Sequence, residues 1–267
     1  MDEEDVARLV EYLIAAGSAR PLRRWAAPAN VWMPVAERKW LAEVVVGAAS
    51  GRVPVIVGTS AENTAEAVEL SQHAEAIGAR AVFLTPPLFG AVTPEALLHH
   101  YGAVARSVGI AVMVQDAQVS IPPRQQVALA EAFPNLCYSK EEAPLESGHR
   151  ISELRRLRPA LKILSGGARL LEDLAPGARA IPVWKPRRQP ARPTSVSWRA
   201  IVNARAAYDR PPLSFWRQPF PLLGTKEVLR RLGVFKAAHL RAPVNEALDD
   251  QDHRELTAIM ERMGPPY

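Results

Sequence analysis

The sequence predicts an α/β fold of the (β/α)8 TIM-barrel type, and three observations support this prediction. Apolar segments of strand length alternate with segments of helical pattern at intervals of roughly 25–30 residues, as in repeated βα units. The strand segments are apolar almost throughout, which is typical of a buried parallel sheet. Chemically distinctive residues stand at the ends of these segments, where barrels of this type hold their functional groups.

Five segments have the length and composition of buried strands. They are VPVIVG (53–58), AVFLTP (81–86), AVMVQDA (111–117), LCYSKE (136–141) and LKILSGG (161–167). Their ends carry Gly58-Thr59, Thr85-Pro86-Pro87, Gln115-Asp116, Lys140-Glu141 and Ser165-Gly166-Gly167. Functional groups at the carboxyl ends of several parallel strands favour a barrel.

The segments between these strands carry helical patterns. They cover residues 63–78, 93–109, 122–133 and 147–157. In the second of these, Thr93 is predicted as the N-cap and Pro94 as the first helical residue. A doubly wound parallel sheet is the alternative fold, but no Gly-x-Gly-x-x-Gly or P-loop motif follows any of the strand segments.

Composition narrows the class of protein. The chain has 267 residues, 48% hydrophobic and 23% charged, which is enough for one large core. No apolar run reaches the ~18 residues of a membrane span. The acidic, amphipathic start MDEEDVARLVEYLIAAG resembles neither a signal nor a transit peptide, so a cytoplasmic protein is expected. Because Cys137 is the only cysteine and the histidines lack metal-ligand spacing, no metal site is predicted.

The net charge of +5 is concentrated in two segments. Residues 18–35 contribute +3 and residues 179–199 contribute +6, so the remainder of the chain is mildly acidic. A nucleic-acid-binding face would spread its basic residues over one structural surface. Neither nucleic acid nor a membrane is therefore predicted as a partner.

The order of several segments resembles one family. The segments include TPEALLHHY (93–101), VMVQDA (112–117), FPNLCYSKEE (133–142) and LKILSGG (161–167), and the similarity covers residues 2–17, about 37–178 and 225–262. It is to the N-acetylneuraminate lyase/dihydrodipicolinate synthase superfamily of Schiff-base-forming lyases, synthases and dehydratases. The resemblance implies a TIM-barrel domain over residues 1–198, a C-terminal helical region over residues 199–267, and assembly into homo-dimers or homo-tetramers.

Lys140 carries the chemistry that this resemblance implies. It matches the family lysine that forms an imine with a 2-keto acid such as pyruvate, without a separate cofactor. The attacking amine must be neutral, and burial inside a barrel would lower its pKa. Strand alternation puts Leu136, Tyr138 and Lys140 on the barrel-facing side and Glu141 on the other. A lone lysine at a strand end would otherwise be interpreted as a solvated rim residue.

Other strand ends match the family pocket. Ser165, Gly166 and Gly167 match a strand end that lines it, where glycines let backbone N–H groups approach a carboxylate. Thr85 and Pro86 match a loop near the pocket and the dimer contact. For both segments a plain structural turn is the alternative interpretation.

Gln115 differs from the family pattern. It stands where the family usually has a tyrosine that relays protons. A glutamine side chain cannot donate and recover a proton near neutral pH. A water or another side chain would then serve as the relay, or the chemistry would differ from that of the usual lyase.

The chain begins at the family's first helix. The first barrel strand is therefore expected to be missing, which would leave seven strands and an open sheet edge. Residues 18–35, SARPLRRWAAPANVWMPV, stand where the family has an apolar strand and a Gly-Ser/Thr-Thr-Gly-Glu loop that binds the keto-acid carboxylate.

A frame-shift hypothesis explains residues 18–35. Read across its codon junctions, RWAAPAN can encode Val-Gly-Ser-Thr-Gly-Glu, and the junction after Trp25 must encode glycine because tryptophan has one codon. The Pro- and Arg-rich residues 181–198 are equally foreign to the family, but the same shifted reading yields no family motif there.

The sequence thus predicts a Schiff-base-dependent lyase, synthase or dehydratase acting on pyruvate or a related 2-keto acid. The alternative is a catalytically impaired or inactive relic of the family that acts at most as a scaffold. A third hypothesis is a binding module in which KPRRQPARP (185–193) forms a polyproline segment or a basic contact with nucleic acid.

Overall fold

A computed structural model describes residues 2–15, 22–23, 33–87, 93–117, 119–142, 147–165, 179–180, 220–239 and 247–263. The helices are α1 Glu3–Ala15, α2 Val35–Ala49, α3 Thr64–Ala76, α4 Pro94–Ser107, α5 Pro123–Ala132, α6 Ser147–Leu157, α7 Phe220–Arg231 and α8 Asp250–Met263. The strands are β1 Leu22–Arg23, β2 Val55–Gly58, β3 Ala81–Leu84, β4 Ala111–Asp116, β5 Leu136–Glu141, β6 Lys162–Ser165 and β7 Arg179–Ala180.

The described strands form one seven-stranded sheet in chain order, β1 to β7, and every pair of neighbours is parallel. Helices α2 to α6 connect the strands from β1 to β6, and α3, α5 and α6 each pack on the strand that follows or precedes them. A parallel sheet whose strand order follows the chain is the arrangement of a barrel, whereas a doubly wound sheet reverses its order. The described residues supply seven strands of this sheet.

The two faces of the sheet have different roles. Gln126 of α5 donates a hydrogen bond to Glu141 and accepts one from Ser139, so these two residues of β5 face the helices. Strand alternation then directs Tyr138 and Lys140 to the opposite face. On that face lies an apolar group that we call the barrel-facing cluster. It consists of Ile56, Ala81, Phe83 and Met113, with Ala111, Tyr138 and Leu164 packed against it.

Local sequence signals set the starts of two helices, and the start of α4 is the one that was predicted. Helix α4 begins after Thr93, whose hydroxyl accepts a hydrogen bond from the Ala96 amide at 3.1 Å, and Pro94 is its first residue. Asn63 caps α3 in the same way through the Glu66 amide at 2.8 Å. These side chains satisfy amides that have no partner within the helix.

The foreign segment over residues 18–35 contributes β1. Leu22 pairs with Val55 and Arg23 pairs with Ile56, so a two-residue strand lies beside β2 at the place of the family strand. Most of the remaining residues of this segment, and all of residues 181–198, lie outside the described part of the chain. The frame-shift hypothesis therefore stays a prediction.

The chain divides into two compact units, residues 13–183 and residues 1–12 with 184–267. In the second unit, the Lys236 ammonium binds Asp2 at 2.9 Å and Glu4 at 2.6 Å, and Arg8 donates to the Val234 carbonyl at 3.0 Å. The predicted division at residues 198 and 199 stays a prediction, because that boundary falls outside the described residues.

The described residues hold neither a candidate membrane span nor a candidate metal cluster. Helices long and apolar enough to cross a membrane are not found among them. Groups of three or more His, Cys, Asp or Glu side chains that could hold a metal ion are not found there either.

We expect Gly58→Ala to lower the free energy of unfolding by about 1–3 kcal/mol, the usual cost of overpacking a core. A Cβ atom at Gly58 would stand 2.7 Å from Cζ of Phe83, whose ring is 2% exposed within the barrel-facing cluster. The ring cannot move aside without displacing its neighbours. Urea unfolding followed by circular dichroism measures the difference.

Gly47→Ala is the control for this substitution. Gly47 lies in α2, and a Cβ atom there meets nothing within 4 Å. Alanine should therefore raise the free energy of unfolding by about 0.5–1 kcal/mol through helix propensity. Equal stabilisation by both substitutions would show that Phe83 does not pack on Gly58.

Candidate active site

Strands β4 and β5 bring the two predicted catalytic residues together. Gln115 pairs with Lys140 in the register of the two strands. Gln115 follows Met113 of the barrel-facing cluster by two residues, and Lys140 follows Tyr138 by two. Both side chains therefore face the barrel at the carboxyl ends of adjacent strands, where enzymes of this fold place their catalytic groups.

Lys140 is buried at the end of an apolar wall. The residue is 4% exposed, and its Nζ lies 6.0 Å from the centroid of the Phe83 ring. Its ammonium group forms an ion pair with the carboxylate of Glu142. This geometry agrees with the inward direction predicted from strand alternation and is unlike that of a solvated rim lysine.

Glu142 follows β5 and turns back over the site. Its amide donates to the Asp116 carbonyl at 2.8 Å, which anchors the backbone beside β4. Its carboxylate contacts Lys140 and accepts a hydrogen bond from Nε2 of Gln115 at 2.6 Å. The side chain is 20% exposed, so water can reach it. The sequence interpretation gave Glu142 no role, although three charged residues in a row at the end of an apolar strand were a signal.

Gln115 holds Glu142 in place. The residue is fully buried, and its amide nitrogen donates a hydrogen bond to the Glu142 carboxylate. Its Oε1 has no hydrogen-bond partner among the described residues. An amide in this position can orient a carboxylate, but it cannot carry a proton between two groups.

Behind this site, on the helix-facing side, lies a buried group that we call the arginine–carboxylate cluster, formed by Arg150, Asp116 and Glu141. Nε of Arg150 binds Oε2 of Glu141 at 3.0 Å, and the same guanidinium forms an ion pair with Asp116. The guanidinium also donates to the Ile121 carbonyl at 2.5 Å. Both carboxylates are fully buried, so Arg150 is required to offset their charge.

Neutral groups complete the hydrogen bonding of this cluster. Glu141 accepts from Nε2 of Gln126 at 2.8 Å and from Oγ of Ser139 at 2.9 Å. Asp116 accepts from the Ile121 amide at 3.2 Å. The carboxylates of both residues thus accept hydrogen bonds. Charged groups can be buried in a protein when their hydrogen bonds are satisfied in this way.

The pKa of Asp116 is raised from its usual value to about 7. Burial is the largest cause, and the negative charge of Glu141 adds to it, while Arg150 opposes both. One guanidinium cannot compensate two buried carboxylates fully. A proton on Asp116 therefore relieves the excess negative charge.

The remaining predicted residues differ in their placement. Ser165 pairs with Glu141 and follows Leu164 of the barrel-facing cluster, so its buried side chain lies on the helix-facing side. The Thr85 amide donates to Oγ of Ser60 at 3.0 Å, which ties the end of β3 to the residues after β2. Pro86 is buried. Gly166 and Gly167 lie outside the described residues.

These observations define a class of protein, a parallel barrel with a buried lysine at the carboxyl end of one strand. The profile of the Dihydrodipicolinate synthetase family matches residues 1–180. The chain therefore belongs to this family, which confirms the resemblance found in the sequence.

Curated relatives named 4-hydroxy-tetrahydrodipicolinate synthase match part of the chain. The protein from Acidiphilium cryptum is 33% identical over 132 residues, which is 49% of this chain and 44% of that protein. The protein from Methanocaldococcus jannaschii is 35% identical over 150 residues, 54% of this chain and 51% of that protein. The protein from Aquifex aeolicus is 30% identical over 187 residues, which is 68% of this chain and 63% of that protein. The matched region thus spans about half the length of these relatives.

Solved structures confirm the barrel fold. A prophage protein of the dihydrodipicolinic acid synthase family from E. coli, in complex with pyruvate, has a TM-score of 0.81 at 22% identity, covering 98% of this chain and 93% of that one. The dihydrodipicolinate synthase from Aquifex aeolicus has a TM-score of 0.77 at 23% identity, covering 99% and 93%. At these identities the likeness establishes the fold.

We expect Arg150→Met to lower the free energy of unfolding by about 3–5 kcal/mol, because it leaves two buried carboxylates without a cation. Arg158→Met is the matched control. Arg158 follows the same helix and makes a 3.7 Å ion pair with Glu131, and both of these side chains are partly exposed. That change should cost less than about 1 kcal/mol. Equal effects of the two substitutions in chemical denaturation would contradict the role given to Arg150.

We also expect Asp116→Asn to change the pH dependence of stability. A carboxyl group with a raised pKa keeps a proton in the folded state that the unfolded chain has lost between about pH 4 and pH 7. Its contribution to stability is thus present at low pH and falls as the pH rises, by up to about 1.4 kcal/mol per pH unit. In Asp116→Asn this slope should be smaller.

Denaturant unfolding at several pH values between 4 and 8 tests this expectation. Glu131→Gln, which changes an exposed carboxylate, serves as the control and should keep the wild-type slope. An Asp116→Asn protein with the wild-type slope would show that Asp116 is not the group that holds the proton.

Proposed function

We propose that this chain is a Schiff-base-dependent lyase, synthase or dehydratase that acts on pyruvate or a related 2-keto acid. The observation that carries the proposal is the buried Lys140 on the barrel-facing side of β5, in contact with a carboxylate and an apolar ring. Together with membership of the family, this placement suits an amine that attacks a carbonyl group.

The proposed chemistry uses an imine between Nζ of Lys140 and the keto carbon of the substrate. The protonated imine withdraws electrons from the neighbouring carbon, so that carbon can lose a proton or a carbon substituent. No separate cofactor is needed, because the electron sink forms from the chain's own lysine. Curated relatives carry the name 4-hydroxy-tetrahydrodipicolinate synthase, and one solved neighbour holds pyruvate, which supports a 2-keto acid as the substrate.

The other predicted site residues have supporting roles in this proposal. Gln115 orients Glu142 beside the lysine. For Ser165, Gly166 and Gly167 we propose backbone contacts with the substrate carboxylate, since the Ser165 side chain faces the helices. Thr85 and Pro86 would shape the rim beside β3.

A catalytically impaired scaffold is the second candidate. Position 115 holds an amide instead of a titratable hydroxyl group. This favours the scaffold, because amide groups do not transfer protons. The residues that follow β1, where the family binds the keto-acid carboxylate, lie outside the described part of the chain. This candidate predicts a folded protein without a reactive lysine.

The predicted homo-oligomer, a dimer or tetramer, and the cytoplasmic location are part of the proposal. One solved neighbour, with a TM-score of 0.80 at 20% identity, is described as a monomeric dihydrodipicolinate synthase variant. Sedimentation of the purified chain measures the assembly directly. Nucleic acids and membranes are not proposed as partners.

Borohydride trapping with pyruvate tests the function. Reduction of the imine should leave one reduced pyruvate on the chain, and peptide mapping should place it at Lys140. Lys140→Met should lose the adduct, whereas Lys162→Met should keep it. Lys162 is a suitable control because it lies on the adjacent strand but is exposed, with its Nζ 4.8 Å from the Tyr138 ring centroid.

A folded wild-type chain without an adduct at Lys140 would contradict the proposal and favour the scaffold. An adduct spread over several lysines would also contradict it, because it would show that Lys140 has no special reactivity.

A further inference from the structure

Glu142 is placed where an acid–base group of the lysine site would stand. Oε2 of its carboxylate contacts Nζ of Lys140 and also accepts a 2.6 Å hydrogen bond from Gln115. The side chain keeps 20% exposure, so it can exchange protons with solvent. A carboxylate that is both fixed and wetted fits proton transfer better than a purely structural ion pair does.

The other buried acids near these strand ends have different partners. Asp116 and Glu141 face the helices and bind Arg150. The residues that face Lys140 from neighbouring strands in the described part of the chain are uncharged: Phe83 of β3, Gln115 of β4 and Leu164 of β6. Within the described part of the chain, Glu142 is thus the carboxylate that reaches the amine.

We propose that Glu142 is the catalytic acid–base residue of the Lys140 site, which takes a proton from the lysine ammonium and returns it to the departing hydroxyl group. This inference rests on the proposed function. The inference assigns to Glu142 the proton transfers that Gln115 cannot perform. Glu142 lies three positions after Ser139, whose hydroxyl donates to Gln126 on the helix-facing side.

The proton and electron balance of imine formation needs one such group. The ammonium of Lys140 first passes a proton to the Glu142 carboxylate, which gives a neutral amine and a carboxylic acid. The amine lone pair then forms the N–C bond as the C=O π electrons move to oxygen. A proton shift from nitrogen to oxygen gives the carbinolamine.

Glu142 then acts as the acid. Its proton goes to the carbinolamine hydroxyl, the C–O bond breaks, water leaves, and the nitrogen lone pair completes the C=N bond. The products are a protonated imine, a Glu142 carboxylate and one water. The total charge of the lysine, the glutamate and the keto group is the same before and after.

The surroundings favour the first proton transfer. Water stabilises the charged forms of an amine and a carboxyl group, whereas burial beside an apolar ring disfavours both charges. Lys140 is 4% exposed and lies over Phe83. Once the imine forms, the regenerated carboxylate stands beside a cation and stabilises its protonated form, which is the better electron sink.

Gln115 acts in this scheme as a positioning residue. The amide donates to Oε2 of Glu142, and Oε2 is also the oxygen that contacts Nζ of Lys140. The hydrogen bond keeps this oxygen directed at the amine throughout the exchange. This role needs a rigid donor and no titration, which an amide provides.

The rate of imine trapping tests Glu142 directly. We expect Glu142→Gln to form the reduced pyruvate adduct on Lys140 at least about 100-fold more slowly than wild type at neutral pH, the usual contribution of a general acid–base group. Glu142→Asp keeps a carboxylate and should recover part of the rate. Glu131→Gln changes an exposed carboxylate and should react as wild type does.

The pH profile separates proton transfer from mere structural support. The trapping rate of Glu142→Gln should depend on pH differently from that of wild type, because the variant lacks the carboxylate that takes and returns the proton. A uniform reduction of rate at every pH, with an unchanged profile, would overturn the proposal. So would trapping at the wild-type rate in Glu142→Gln.

A second measurement does not depend on pyruvate. Competitive acetylation with acetic anhydride, read by mass spectrometry, should label Lys140 faster in Glu142→Gln, because loss of the ion pair leaves more neutral amine. Unchanged labelling would show that the contact is absent, and would overturn the inference even if the wild type traps pyruvate. A wild-type chain that shows this labelling difference but never traps pyruvate would overturn the proposed function, and the catalytic role of Glu142 with it.

Discussion

The placement of the lysine site depends on one buried interaction, the contact of Arg150 with Asp116 and Glu141. Successive residues of a strand point to opposite faces, so a side chain fixed on the helix-facing side fixes its neighbour on the barrel-facing side. Asp116 is the last residue of β4 and directly follows Gln115. Glu141 is the last residue of β5 and directly follows Lys140. By binding both carboxylates, Arg150 of α6 holds the ends of β4 and β5 level with each other. The cost of burying three charges is thus linked to the alignment of Gln115 with Lys140.

The two sides of these strand ends have opposite electrostatic character. On the helix-facing side the charged groups are enclosed and have hydrogen-bond partners from Gln126, Ser139 and the backbone of Ile121. On the barrel-facing side a lysine and a glutamate meet beside an aromatic ring, with partial access to water. The helix-facing network is enclosed and includes Asp116, whose pKa is raised to about 7, whereas the Lys140–Glu142 ion pair keeps partial access to water. The arrangement therefore places a buried support and a partly wetted ion pair on opposite sides of the same strand ends.

The sequence predicted what depends on local periodicity and could not predict what depends on tertiary pairing. Strand alternation directed Lys140 inward and Glu141 outward, and the capping signal at Thr93 located the start of α4. The pairing of Arg150 with two strand ends was out of reach, because an arginine on an amphipathic helix is usually solvated. Glu142 was missed because alternation ends with the strand, and the turn that brings its side chain back to Lys140 is set by the hydrogen bond to the Asp116 carbonyl. The side-chain direction of Ser165 also follows from the register of β6 with β5, which no single segment reveals.

The position of Lys140 within the sheet explains how a buried lysine and two foreign segments can occur in one chain. Strands β3 to β6 pair over four or five residues each, whereas β1 and β7 pair over two. Lys140 lies in the extensively paired part, four strands from β1 and two from β7 in the described sheet. Its burial and its contact with Glu142 need β3, β4 and β5, not the edges. The proposed imine would therefore form at the centre of the sheet, whereas the resemblance to the family implies that the substrate carboxylate is bound near β1. Imine trapping and complete turnover are thus two separate expectations for this chain.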